Sequence, residues 1–191
     1  MKLFGLDVTK IILAFLVTFG ILTGGRIAAY HVRVERPLEA FLRERPDVVD
    51  WRLVRGGESA GLEVRVRLRD VGDIQATYLD LCDGLARATG RTPALVIEDA
   101  RTRELSAIYR RMRLAVEEAI ARGTFREMAK AIDSQAQEAG LDRWGVYVDS
   151  GNVYLQLHKS GHYLYEVIPR QEPSTSRGDA GPGSRVRATL W

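Results

Sequence analysis

The sequence predicts an α+β protein, with an N-terminal transmembrane helix followed by a small α+β domain built from a β-β-α-β unit, two helices and a three-stranded antiparallel meander. Residues 11–25 form an uncharged, mostly apolar run. Leu62 to Leu68 alternate apolar and charged side chains with a period of two, and Leu105, Ile108, Met112 and Val116 recur at helical spacing. A length of 191 residues allows one domain of ordinary size with an anchor and a tail.

The stretch from Lys10 to Arg26 reads KIILAFLVTFGILTGGR. Ile11, Leu13, Phe15, Val17, Phe19 and Leu22 point in all directions around a helix and leave no polar face, so a membrane-inserted segment is expected. Spanning the hydrocarbon takes about 20 residues at 1.5 Å each, so the helix borrows a flank. The expected anchor is residues 11–30, with Lys10 snorkelling to the headgroups and Tyr30 in the interfacial belt. Residues 1–10 are then a short N-terminal tail. Thr23, Gly24 and Gly25 resemble the end of a secretory signal, but Ile27 and Ala29 fit a cleavage site poorly, and the single cysteine, Cys82, is too distant for a lipoprotein linkage. An uncleaved anchor is expected. Arg26, Arg33, Arg36, Arg43 and Arg45 outweigh Lys2 and Lys10 and favour a cytoplasmic domain by charge counting. A short charged N-terminal tail normally stays inside, however, and long domains translocate regardless of charge; the domain is therefore expected outside the cytoplasm, on a single-pass cell-membrane protein.

Residues 31–46 contain PLEAFLRER, which sets Leu38, Phe41 and Leu42 at helical spacing between Pro37 and Pro46; a juxtamembrane amphipathic helix is expected there. The α+β domain is placed at residues 47–170. VVDWRLVR (48–55) and LEVRVRLRD (62–70) read as antiparallel strands around the turn GGESAG. From Asp73 to about Ala88, Ile74, Tyr78, Leu81, Cys82 and Leu85 mark a helical stripe, capped by Asp70 or Asp73 and closed by Gly90. PALVIED completes the β-β-α-β unit. Two helices follow: one from Thr102 to Arg122 stopped by Gly123, and one capped by Thr124 with Phe125, Met128 and Ile132 inward and Gly140 closing it. WGVYVDSGNVYLQLHKSGHYLYEVIPR divides into three strands at Asp149–Asn152 and Lys159–Gly161. Residues 171–191, rich in Gly, Pro and Ser, are expected to be a disordered tail.

A net charge of +3 among 28 basic and 25 acidic residues does not describe a polycationic surface, so nucleic acid is not an expected partner. One cysteine excludes an intramolecular disulfide and any cysteine-based zinc cluster. Phosphate-binding loops of the GxxxxGK[ST] or GxGxxG type are absent from the sequence, and Gly57 to Gly61, which spells GxSxG, lies between two expected strands and not at the strand-to-helix turn of a nucleophile elbow.

Several groups invite chemistry, each with a plainer explanation. His158, His162 and Glu166 contain metal-ligand atoms, but the two histidines flank a hairpin turn and are expected to be exposed there. Glu98, Asp99 and Glu104 lie at a strand end where paired carboxylates hold Mg²⁺ or act as acid and base; the preferred expectation is that Asp99 or Thr102 caps the next helix and Glu104 favours its positive end. Arg65, Arg67 and Arg69 on a strand, and Arg101, Arg103, Arg110, Arg111 and Arg113 on a helix, are basic surfaces interleaved with Glu63, Asp70, Glu104, Glu117 and Glu118. Trp144, Tyr147, Tyr154, Tyr163 and Tyr165 are expected mainly as core or cross-strand pairs. No catalytic, cofactor-binding or metal-ligating residue is assigned. The function expected is interaction or assembly at the membrane. Its partners would be the lipid bilayer through residues 11–30 and a protein partner or second copy. The alternatives are a membrane-tethered regulator binding nucleic acid or anionic lipid through an Arg-rich face, and a carboxylate-dependent hydrolase.

Overall fold

The computed structural model describes residues 2–3, 6–7, 15, 18, 35–55 and 62–170. The expected anchor at 11–30 lies outside the described residues except for Phe15 and Thr18, both helical. The turn at 56–61 and the tail at 171–191 lie outside them entirely. Among the described residues no helix is long and apolar enough to cross a membrane. Lys2–Leu3 pairs antiparallel with Leu6–Asp7.

The domain is α+β, with four helices and two three-stranded sheets among the described residues. Helix α1 (Arg36–Arg43) begins with Pro37 in its first turn, where the missing N–H costs nothing, and buries Leu38 and Leu42. Strand β1 (Val48–Arg55) pairs antiparallel with β2 (Leu62–Leu68) through a register shift between Val48 and Asp50. Helix α2 (Ile74–Thr89) crosses over to β3 (Ala94–Glu98), which joins β2 in parallel. The Asp73 side chain accepts the Ala76 N–H at the start of α2, and Gly90 ends it at φ +66°. The alternation in β2 turns Val64, Val66 and Leu68 to the core and Arg65 and Arg67 to the open face.

Helix α3 (Arg103–Arg122) is capped by Thr102, whose hydroxyl accepts the Leu105 N–H, and ends at Gly123. Thr124 occupies the cap position of α4 (Phe125–Glu138) without a side-chain hydrogen bond. The meander then runs β4 (Arg143–Val148), β5 (Asn152–Lys159) and β6 (His162–Pro169). Its second turn holds both Ser160 and Gly161 at positive φ, as a two-residue hairpin joining right-twisted strands requires.

β3 comes alongside β6, so the two sheets sit edge to edge. One apolar core gathers α1, α2, the inner face of the first sheet, and Tyr154, Tyr165 and Val167 of the meander. The other packs α3 and α4 against Val153, Leu155, Leu157 and Leu164 on the opposite face. β5 is therefore covered on both sides, and its polar residues Asn152, Gln156 and His158 are buried.

Candidate functional site

Two polar clusters flank β6, each beginning with side chains that strand pleating sends to opposite faces. On the α2 side, the even-numbered residues of β5 meet the odd-numbered residues of β6, because Gln156 registers with Tyr165 and His158 with Tyr163. These side chains hold the irregular segment between β2 and α2. Tyr163 donates its hydroxyl to the Leu68 carbonyl (2.9 Å), and the Tyr165 hydroxyl accepts the Val71 N–H (2.8 Å). Gln156 accepts from the Ile74 N–H (3.0 Å) and donates to the Gly72 carbonyl (3.0 Å). A buried backbone without a ladder partner is satisfied in this way.

His158, 5% exposed, lies edge-on to the Tyr165 ring at 5.9 Å. Arg143 Nη2 approaches its Nδ1 at 3.1 Å, and Asp70 Oδ1 lies 3.3 Å from the same nitrogen. Burial, and then the Arg143 charge, holds the imidazole pKa below its ordinary value against the opposing pull of Asp70 and Asp142. An imidazole beside a carboxylate has the parts of a general base. Here its ring nitrogens face Arg143, which also donates to Asp70 and to the Val71 carbonyl.

On the α3 side, the carboxylate of Asp99, 2% exposed, accepts the Arg101 N–H (3.1 Å), Arg101 Nε (2.8 Å), Arg101 Nη2 (2.8 Å) and the Tyr165 N–H (2.7 Å). Arg101 in turn donates to Glu166 (2.7 Å) and to the Tyr165 carbonyl (3.2 Å). Asp99 and Arg101 thus supply by side chain the donor and acceptor that another strand would present to the edge of β6. Burial raises the Glu166 pKa although Arg101 opposes it, and burial together with the Glu166 charge raises that of Tyr109.

The residues singled out in the sequence do not converge. Glu98 projects onto the open face of the first sheet and accepts from Arg52 (2.7 Å) with Arg67 at 3.8 Å; Glu104 pairs with Lys159 (2.7 Å). Thr102 is the cap of α3, and Asp99 makes the edge clip instead. His158 is buried where an exposed hairpin residue was expected, because the segment from Leu68 to Ile74 covers its face of the meander, and Glu166 is buried on the other face beside Arg101. They also point to opposite faces, leaving exposed His162 apart from His158. Among the described residues no group of three His, Cys, Asp or Glu side chains is placed to hold a metal. Burial pushes the Cys82 thiol up to about 11, so it stays protonated at neutral pH.

The basic surfaces separate. Arg52, Arg65 and Arg67 on the open sheet face are matched by Asp50, Glu63 and Glu98, with Arg65 on Glu63 at 2.8 Å. On α3, Arg113 pairs with Glu117 (3.1 Å) and Arg122 with Glu118 (2.6 Å), while Arg103, Arg110 and Arg111 are exposed. A groove of about 460 Å³, lined by Ile108, Arg111, Gln135, Glu138 and Ala139, lies between α3 and α4, away from both clusters. The sequence reading missed Asp99–Arg101–Glu166 and Gln156; the signal for Gln156 was the alternation of Asn152, Tyr154, Gln156 and His158 in a strand central to its sheet. No protein-family model, curated protein or solved structure matches the chain.

Proposed function

We propose that the chain is a single-pass membrane protein, anchored through residues 11–30, whose α+β domain is an interaction or assembly module outside the cytoplasm. The observation that carries this reading is the division of labour among its side chains. Asp99, Arg101, Glu166, His158, Arg143 and Gln156 are bonded to one another or to backbone within the domain, whereas Leu114, Val49, Leu79 and Val54 stand in solvent. Groups suited to acid–base chemistry thus maintain the architecture, and the outer faces are left for contact. Confinement to a bilayer raises the effective concentration of neighbours, so weak interfaces suffice for assembly. Reporter fusions after Arg170 and site-specific photocrosslinking of the full chain in cells test it. An extracytoplasmic reporter with captured neighbours is expected; a domain that captures none from any outer face refutes the reading.

Arg103, Arg110 and Arg111 favour a second reading, contact with anionic lipid headgroups. The neutralised sheet face contributes nothing to it. Salt-dependent binding of the full chain to anionic vesicles, lost on R110E/R111E, is its signature.

A further inference from the structure

The outermost line of α3 carries Arg103, Ala107, Arg110, Leu114 and Ala121, diametrically opposite the buried Leu105, Met112 and Val116. Leu114 is 76% exposed, the most exposed of the large apolar side chains described. Ala107 and Ala121 lie seven residues to either side of it, small enough to let another helix approach closely. The flanking charges are polarised: Arg110 and Arg111 precede Leu114, and Glu117 and Glu118 follow it.

This order is self-complementary in one arrangement. If a second α3 lies antiparallel on the first with Leu114 at the two-fold axis, Leu114 meets Leu114 and Ala107 meets Ala121. On one side of the seam Arg110 faces Glu117 of the second copy; on the other, Arg111 faces Glu118 of the second copy. Symmetry repeats each contact. The existing pairs to Arg113 and Arg122 are exposed i,i+4 contacts that hold the glutamates only weakly. The edge of β1 is a poorer candidate, because the irregularity at Val49 interrupts it and the Asp50 side chain already accepts the Trp51 N–H.

We infer that α3 is a homodimerisation surface, on which a second copy of the chain packs antiparallel through Leu114 with Arg110–Glu117 and Arg111–Glu118 contacts between copies. The inference deepens the interaction reading above and rests on it. Its test uses the full chain in mild detergent, in a Cys82→Ser background, with a short bismaleimide crosslinker. Leu114→Cys should give a covalent dimer, and the control Leu79→Cys, at an exposed position on α2, should not. R110E/R111E sets like charges against one another at every contact and should weaken dimerisation on the order of a hundredfold, each exposed pair counting for about twofold in either direction. Adding E117R/E118R should restore it, a rescue that general damage to the fold would not permit; circular dichroism and tryptophan emission confirm folding. Equal crosslinking at Leu114→Cys and Leu79→Cys, or dimerisation indifferent to the charge reversal, overturns the α3 surface. Neighbours captured in cells through other faces would then leave the interaction reading standing, and their absence would remove both.

Discussion

Replacing Asp99 by asparagine tests the seam between the two sheets with almost no change in shape. One carboxylate oxygen accepts the Arg101 N–H and Nε; the other accepts Arg101 Nη2 and the Tyr165 N–H. An amide keeps one acceptor and turns an NH₂ toward donors the other oxygen served. A charge-assisted hydrogen bond contributes about 1.5–3 kcal/mol, and a buried group left unpaired costs about 1–3 kcal/mol. Arg101 is 35% exposed and keeps Glu166, so water recovers much of the loss at the guanidinium. The Tyr165 N–H, on a buried strand, has no such recourse. The expected destabilisation is therefore about 2–4 kcal/mol, below the sum of the broken bonds. Equilibrium urea unfolding of the full chain in detergent, followed by tryptophan emission, measures it. Glu98→Gln, one residue away on the open sheet face, should cost less than about 1 kcal/mol. A loss below about 0.5 kcal/mol for Asp99→Asn, or an equal loss for Glu98→Gln, would refute the claim that this carboxylate joins the sheets.

The pKa of His158 is depressed by folding, so the unfolded chain binds the proton first: stability is full above about pH 6.5 and falls as the pH drops through the folded value. Glu166 is shifted in the opposite sense and stabilises least when ionised, so the His158 contribution is read as the difference between wild-type and His158→Gln unfolding curves from pH 7.5 down to about 5. Gln156→Met should leave the Ile74 N–H and Gly72 carbonyl unpaired, lower stability by about 1–3 kcal/mol and speed hydrogen exchange at Ile74. A Cβ at Gly84 would fall 2.0 Å from the Phe41 ring, so Gly84→Ala should displace α1 and cost about 1–3 kcal/mol despite better helix propensity. Phe41→Ala in the same chain should make alanine at 84 tolerable; a destabilisation by Gly84→Ala that persists without the ring would contradict this packing.

Local order was legible where one residue decides one local bond. The period of two in β2, the stripe of α2, Asp73 and Gly90 at its ends, and Lys159-Ser160-Gly161 as a hairpin all reflect neighbours in sequence, and the chain adopts them. His158 was misread, and Gln156 not singled out, because a place beside a hairpin turn or an alternating pattern does not say what packs over a sheet face. Here one face meets α3 and α4 while the other receives the irregular backbone from Leu68 to Ile74, so Gln156 and His158 are buried hydrogen-bonding groups. Asp99 could serve as a cap or a ligand by local rules; its true partner, the Tyr165 N–H, is 66 residues away, and only the meeting of β3 with β6 brings it near.

The position of α1 bears on how the proposed anchor would present the domain. Leu38 and Leu42 belong to the same core as α2, and Phe41 seals Gly84, so α1 is part of the domain's packed body. An anchor ending at residue 30 leaves only residues 31–35 before α1, a reach of at most about 18 Å fully extended. A domain held that closely cannot sample partners far from the bilayer. Under the proposed anchoring, neighbours held in the same membrane plane would meet it there, and tethering would repeatedly return the same faces to one another. Under that constraint a weak, self-complementary helix surface such as that around Leu114 would be sufficient, and lengthening the tether at residues 31–35 should lower dimer yield without altering the stability of the domain.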